Sequence, residues 1–165
     1  MTREYPIAPI IGVGAVIVRD KQVLLVRRGN EPDRGRWSIP GGAVELGETL
    51  AQAATREVRE ECQLEIEAQT VLSTAELIQH DEQDRVRYHY VLIDLAARYV
   101  GGQAAAGTDA LDAHWVTEDE LDTLDIVPRL VPLLRAALHE AQKSKQRANP
   151  ENRARSSPDA QLRIS

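Results

Sequence analysis

The chain has 165 residues, 42% of them hydrophobic and 28% charged, which suits one globular domain with a full core. The net charge of −6 is unevenly spread: positions 143–165 hold six basic residues against two acids, leaving −10 on positions 1–142. So acidic a body argues against non-specific nucleic-acid binding. The single cysteine, Cys62, excludes an internal disulfide framework and a cysteine-built zinc site, and fits a reducing cytoplasm.

In chain order, IAPIIGVGAVIV (residues 7–18) is too short to span a bilayer and lacks a strong basic leader; its β-branched second half predicts a buried strand rather than an export signal or a membrane anchor. Val13–Val18 and Val23–Arg28 flank a polar RDKQ segment and read as a hairpin. The loop GNEPDRGR, from Gly29 to Arg36, leads into a short strand, Trp37–Pro40, that ends in the glycine pair Gly41-Gly42. Thr49 with Gln52 forms a capping-box pattern, so a helix should start at Leu50 and run to about Cys62.

Strands are expected at Glu65–Ile78, Arg85–Val100 and Ala113–Val116, with a Gly/Ala loop from Gly101 to Gly107. A second capping box, TEDE at Thr117–Glu120, predicts a short helix to about Leu124. The spacing of Leu130, Leu133, Leu134, Ala137, Leu138 and Ala141 predicts an amphipathic C-terminal helix. Positions 143–165 have almost no apolar content and read as a basic, disordered tail to a domain at 1–142. Hairpins mixed with helices indicate an α+β chain with a mixed sheet packed between helices.

The chemistry concentrates in REVREEC, residues 56–62. On a helix, Leu50, Ala54, Glu57 and Glu61 fall along one line, and Glu60 flanks it. Like charges four residues apart repel. Arg56 and Arg59 could make this an ordinary solvated face, but acids at the margin of a buried stripe suit a hard divalent cation, Mg²⁺ or Mn²⁺, which takes oxygen ligands and leaves positions for phosphates. The Gly41-Gly42 pair lets backbone approach such an ion with no Cβ in the way.

From Gly42 the sequence GAVELGETLAQAATREVREECQL resembles the Nudix box: glycine, five residues, Glu48, seven residues, Arg56-Glu57, aliphatic Val58, the pair Glu60-Glu61 and aliphatic Leu64. The one departure is Gln63, where the family has a glycine that ends the helix in a left-handed conformation. RWSIPGG before the box and HWVTEDEL after it extend the resemblance over about residues 10–140.

The resemblance implies an α/β/α sandwich and a Mg²⁺-dependent hydrolase, with Mn²⁺ as substitute, that cleaves the pyrophosphate of a nucleoside diphosphate linked to another moiety. It makes Glu57 and Glu61 metal ligands, with Glu60 sharing the role and the Gly41 carbonyl added, and makes Glu48 and Arg56 residues that hold the loop against the helix. The general base comes either from the box or from a loop before the late strand; Asp109 and Asp112 sit there, with a turn-forming role as the alternative, and Glu76 is a third candidate.

Arg27, Arg28, Arg34 and Arg36 are candidates to receive substrate phosphates, against a reading as scattered surface charge. Trp37 either stacks on a base or ribose or packs in the core, and Trp115 reads as core. Tyr88 and Tyr90 share one strand face and His89 the other, either of which could line a nucleotide site. Cys62 reads as a buried thiol. The flanking segments look most like ADP-ribose pyrophosphatases, although Gln79-His80 stand where one such branch has proline. The alternatives are a nucleotide-pool-sanitising (d)NTP pyrophosphohydrolase and a non-catalytic nucleotide-binding regulator. The expected partner is a small-molecule nucleotide, with no specific nucleic acid and no membrane; the resemblance also allows a homodimer.

Overall fold

The computed structural model describes residues 3–107 and 109–148. The strands are β1 (Ile10–Arg19), β2 (Gln22–Arg28), β3 (Trp37–Ser38), β4 (Gly41–Ala43), β5 (Leu64–His80), β6 (Val86–Gly102) and β7 (Ala110–Thr117); the helices are α1 (Leu50–Cys62) and α2 (Leu130–Ala148). They form a mixed sheet in the order β3-β2-β1-β6-β5, with β4 added to β1 and β7 to β2. β1 and β6 run parallel, and the other strand pairings are antiparallel.

The apolar runs of β1 and β2 are continuous because both sheet faces are covered. Ala15, Ile17, Leu24 and Val26 pack with Val58 and Cys62 of α1. The alternate residues Val16, Val23 and Leu25 pack with Leu130, Leu134 and Leu138 of α2. The expected sandwich, a mixed sheet between helices, is the observed architecture.

The predicted hairpin is present, closed by Asp20 and Lys21, both with positive φ (47° and 65°), between the paired Arg19 and Gln22. Two positive φ values match the right-handed twist of the flanking strands. β7 begins at Ala110 rather than Ala113, because it continues pairing with β2 past a bulge as far as Arg28. The second capping signal opens only a 3₁₀ turn, Asp119–Asp122. There the Glu120 carboxylate accepts the Thr117 N–H and hydroxyl, both at 2.7 Å.

α2 runs past Ala141 to Ala148, so the first residues of the segment read as a tail are helical; the rest of that segment lies outside the described residues. Lys145 reaches Asp20 at 3.1 Å from this extension. Among the described residues no helix is long and apolar enough to cross a membrane.

One edge of β1 changes partner along its length. Residues 12–14 pair with β4, and residues 18–19 pair with β2. A cleft opens at this divergence, lined by Gly41–Ala43 on one side and Val26–Gly29 on the other.

Candidate active site

α1 carries the acids into this cleft. Its N-terminus is fixed by the predicted reciprocal cap: Thr49 Oγ1 accepts from the Gln52 N–H (3.2 Å), and Gln52 Oε1 accepts from the Thr49 N–H (2.8 Å). Its buried side consists of Ala53, Ala54, Glu57, Val58 and Cys62, so the helix phase that buries the alanines also buries Glu57, which is 8% exposed. Glu61, one turn on, is half-buried and also lines the cleft. Glu60 is exposed and does not line the cleft; among the described residues its one cationic contact is Arg56 at 3.5 Å.

Arg56 ties the loop to the helix. Its Nε and Nη2 donate to the two oxygens of Glu48 at 2.8 and 2.9 Å, Nη2 also donates to the Ala43 carbonyl at 3.0 Å, and Nη1 donates to Glu57 Oε1 at 2.8 Å. A forked guanidinium suits this work because it meets a carboxylate through two parallel bonds and still has donors to spare. The same hydrogen bonds hold the Glu48 carboxyl down at about 2.

The acids facing the cleft shift the other way. Burial raises Glu57 more than the neighbouring Arg56 lowers it. Burial likewise pushes Glu61 up to about 7, opposed by the Gly41 N–H, while the charges of Glu57 and Asp109 add to the rise and Arg28 counters it. That N–H donates to Glu61 Oε2 at 2.9 Å, so Gly41 meets Glu61 through its amide. Both glycines are required by close approach: a Cβ on Gly41 would lie 2.1 Å from the Val13 carbonyl oxygen, and one on Gly42 would lie 2.3 Å from Glu57 Oε1.

Two carboxylates whose desolvation outweighs the nearby Arg56 and Arg28 favour a further cation. Among the described residues no three His, Cys, Asp or Glu side chains gather into a metal-ligand cluster. Of the three acids expected as ligands, Glu57 and Glu61 line the cleft together with the Gly41 backbone, and Glu60 does not. Such a sparse, all-oxygen donor set fits Mg²⁺.

The other candidates divide. Arg27, Arg28 and Asp109 line the cleft, whereas Arg34, Arg36, Trp37, Asp112 and Glu76 do not. Arg36 is engaged by Asp33 and Asp125, both at 3.3 Å. Trp37 packs edge-on against His114 with ring centroids 5.5 Å apart. Asp112 lies within β7, where it bonds the Ala113 N–H and His114. Of the aromatic strand face, Tyr90 reaches the cleft, while Tyr88 is buried and donates to Glu4. Trp115 is half-buried beneath Arg19, 4.3 Å from its ring centre. Cys62 is fully buried, with its thiol pushed up to about 12 by desolvation, as an inert core residue would be.

Among the charged residues that line the cleft, sequence reasoning missed Arg3, Asp33, Asp94 and Arg129. Asp94 is 1% exposed and accepts from Arg129 Nη1 (2.7 Å) and Ser73 Oγ (2.7 Å). The available signal was a lone acid inside the apolar run VLIDLAA; its partner, just before α2, carries no local signal. Arg3 lies far from the box in sequence, and only the folded chain brings it to the cleft.

A sequence model of the NUDIX domain matches residues 8–137. The chain is 33% identical over 116 residues to an ADP-ribose pyrophosphatase of Methanocaldococcus jannaschii, covering 70% of this chain and 66% of that protein. It is 31% identical over 122 residues to a putative ADP-ribose pyrophosphatase of Bacillus subtilis, covering 74% of this chain and 56% of that one. The chain thus spans less than two thirds of either relative. Among solved structures, a MutT NUDIX hydrolase from Burkholderia pseudomallei superposes with a TM-score of 0.60 at 30% identity, covering 68% of this chain and 85% of that one.

Proposed function

The chain belongs to the Nudix hydrolase family, and from that premise we propose that it hydrolyses the pyrophosphate bond of a nucleoside diphosphate linked to a second moiety, with an ADP-ribose-type compound as substrate and Mg²⁺ as cofactor. The observation that carries this reading is the intact carboxylate set, with Glu57 and Glu61 desolvated and aimed into one cleft opposite Arg27 and Arg28. The substrate class follows the names of the two relatives.

Glu57 and Glu61, with the Gly41 backbone, would hold the ion. Bound Mg²⁺ would neutralise charge building on the leaving phosphate and make a water more acidic. Arg56 fixes Glu57 through Nη1 while its other donors clamp Glu48 and Ala43, so helix and loop keep one spacing. Arg27 and Arg28 spend hydrogen bonds on the carbonyls of Gly35 and Pro32, which orient them without cancelling their charge. That charge remains for phosphate oxygens. Asp109 lies at the cleft beside Glu61 and is the general base in this reading, taking the proton of the attacking water.

Initial rates on ADP-ribose and on 8-oxo-dGTP, each with Mg²⁺, test the substrate assignment. Faster turnover of ADP-ribose, giving AMP and ribose 5-phosphate, is expected. Turnover of 8-oxo-dGTP alone would move the protein to nucleotide-pool cleaning.

A further inference from the structure

Beyond the carboxylates the cleft continues along the sheet. Strand register places Gly41, Gly14, Asp94 and Ser73 side by side across β4, β1, β6 and β5. With strands about 4.8 Å apart, Asp94 lies roughly 10 Å from Gly41 along this row. No side chain rises from the two glycines of this row. A Cβ on Gly14 would lie 2.5 Å from Ile39 Cδ1 and 3.0 Å from Asp94 Oδ1. The Ile39 side chain therefore covers the floor at Gly14, and the walls toward β5 and α2 are the apolar Leu77, Tyr90, Leu92 and Val127.

The cations of the cleft are of two kinds. Arg27 and Arg28 bond neutral carbonyls and keep their charge for phosphates. Arg129 instead faces buried Asp94, with Nη1 at 2.7 Å from Oδ2 and Nη2 at 3.4 Å from Oδ1. Ser73 donates to the same carboxylate and fixes it. The pair has no net charge, so it has little pull on a phosphate. What it offers is a fixed array of donors, because the other N–H groups of Arg129 have no acceptor among the described residues and its side chain is 32% exposed. Donors held in place over apolar walls suit a flat, uncharged group with ring nitrogens or carbonyl oxygens.

We propose that this arm of the cleft is the nucleobase subsite: Arg129 donates hydrogen bonds to acceptor atoms of the base, and Asp94 is the residue that positions Arg129. The inference rests on the nucleotide reading of the cleft and extends it to the end of the substrate that does not react. Arg129 therefore acts on binding of the base-bearing half and leaves the chemical step to the carboxylates.

The test compares R129Q, R129K and wild type on ADP-ribose and on an ADP-ribose analogue with hydrogen in place of adenine. Losing donors to a neutral acceptor costs about tenfold in affinity. The expected result is a KM for ADP-ribose raised about tenfold at nearly constant kcat, with a clearly smaller change on the base-free analogue. R129K can keep the ion pair with Asp94 but lacks the fork, so it should show the same selective loss; it covers the case in which R129Q does not fold. D94N should also raise KM rather than lower kcat, since a merely structural defect would cut activity on both substrates alike. Equal losses on the two substrates, or a fall in kcat alone, would overturn the proposal. AMP and GMP binding to wild type and R129K, measured by titration calorimetry, does not depend on turnover. Weaker binding to R129K supports the subsite even if ADP-ribose is not hydrolysed, and equal binding rejects it.

Discussion

Glu57 and Glu61 are buried far enough that desolvation outweighs their local partners, whereas Glu60, between them in the sequence, stays in solvent. Helical phase decides this, so it was legible from the spacing of Leu50, Ala54, Glu57 and Glu61. The need for glycine at 42 was also legible, though its reason is sharper in the fold: the Glu57 carboxylate occupies the space of a Cβ. Replacing Gly42 with Ala should push Glu57 out of place while the fold persists. We expect weaker Mg²⁺ affinity and at least about a tenfold fall in kcat/KM, on the scale of disturbed metal-site support. Titration of Mg²⁺ against activity, with circular dichroism as the fold control, checks this. Arg36 and Trp37 were credible from position alone, but sequence does not show that Asp33, Asp125 and His114 engage them. The Asp94–Arg129 pair was illegible for a related reason, since its partners are 35 residues apart.

At the scale of elements, α1 was the most legible, because its cap, its alanines and its apolar phase agree. Its exit departs from the family, and the chain keeps the shape regardless: Gln63 takes the left-handed conformation, φ 57° and ψ 31°, and its N–H still bonds the Arg59 carbonyl. A non-glycine residue there costs about 1 kcal/mol. Gln63→Gly should therefore raise stability by about 1 kcal/mol, less whatever glycine adds to the freedom of the unfolded chain. A higher urea midpoint with unchanged slope is the expected reading.

The loop–helix clasp makes a pH prediction. Glu48 is depressed from 4.5 to about 2 by Arg56. A carboxylate lowered in the folded state adds stability that is complete above the unfolded value, 4.5, and is lost as pH falls towards about 2. The stability gap between wild type and E48Q should accordingly be widest near neutrality and shrink below pH 4.5. Urea midpoints across that range measure it. Element ends were read less well. β7 starts early because pairing with β2 continues across a bulge, and pairing of this kind leaves little trace in a short sequence window.

For the molecule as a whole, a mixed sheet between helices was legible from the order of hairpins and helices, and the fold adds the reason the β1 and β2 runs are apolar on both alternations: both faces of the sheet are covered. The cleft was not, since it arises where β1 exchanges β4 for β2, a consequence of register rather than composition. That exchange brings the acids of α1, the arginines of β2 and the loop before β7 to one place. On the proposed function this junction is a Mg²⁺-dependent pyrophosphohydrolase centre working through Glu61. It is tested most directly by ADP-ribose hydrolysis in wild type and E61Q, each with and without Mg²⁺. Turnover is expected only from wild type with the metal, with a fall in E61Q of more than about a hundredfold, beyond the range for residues that merely support a metal site. Undiminished Mg²⁺-dependent turnover by a folded E61Q protein would contradict it.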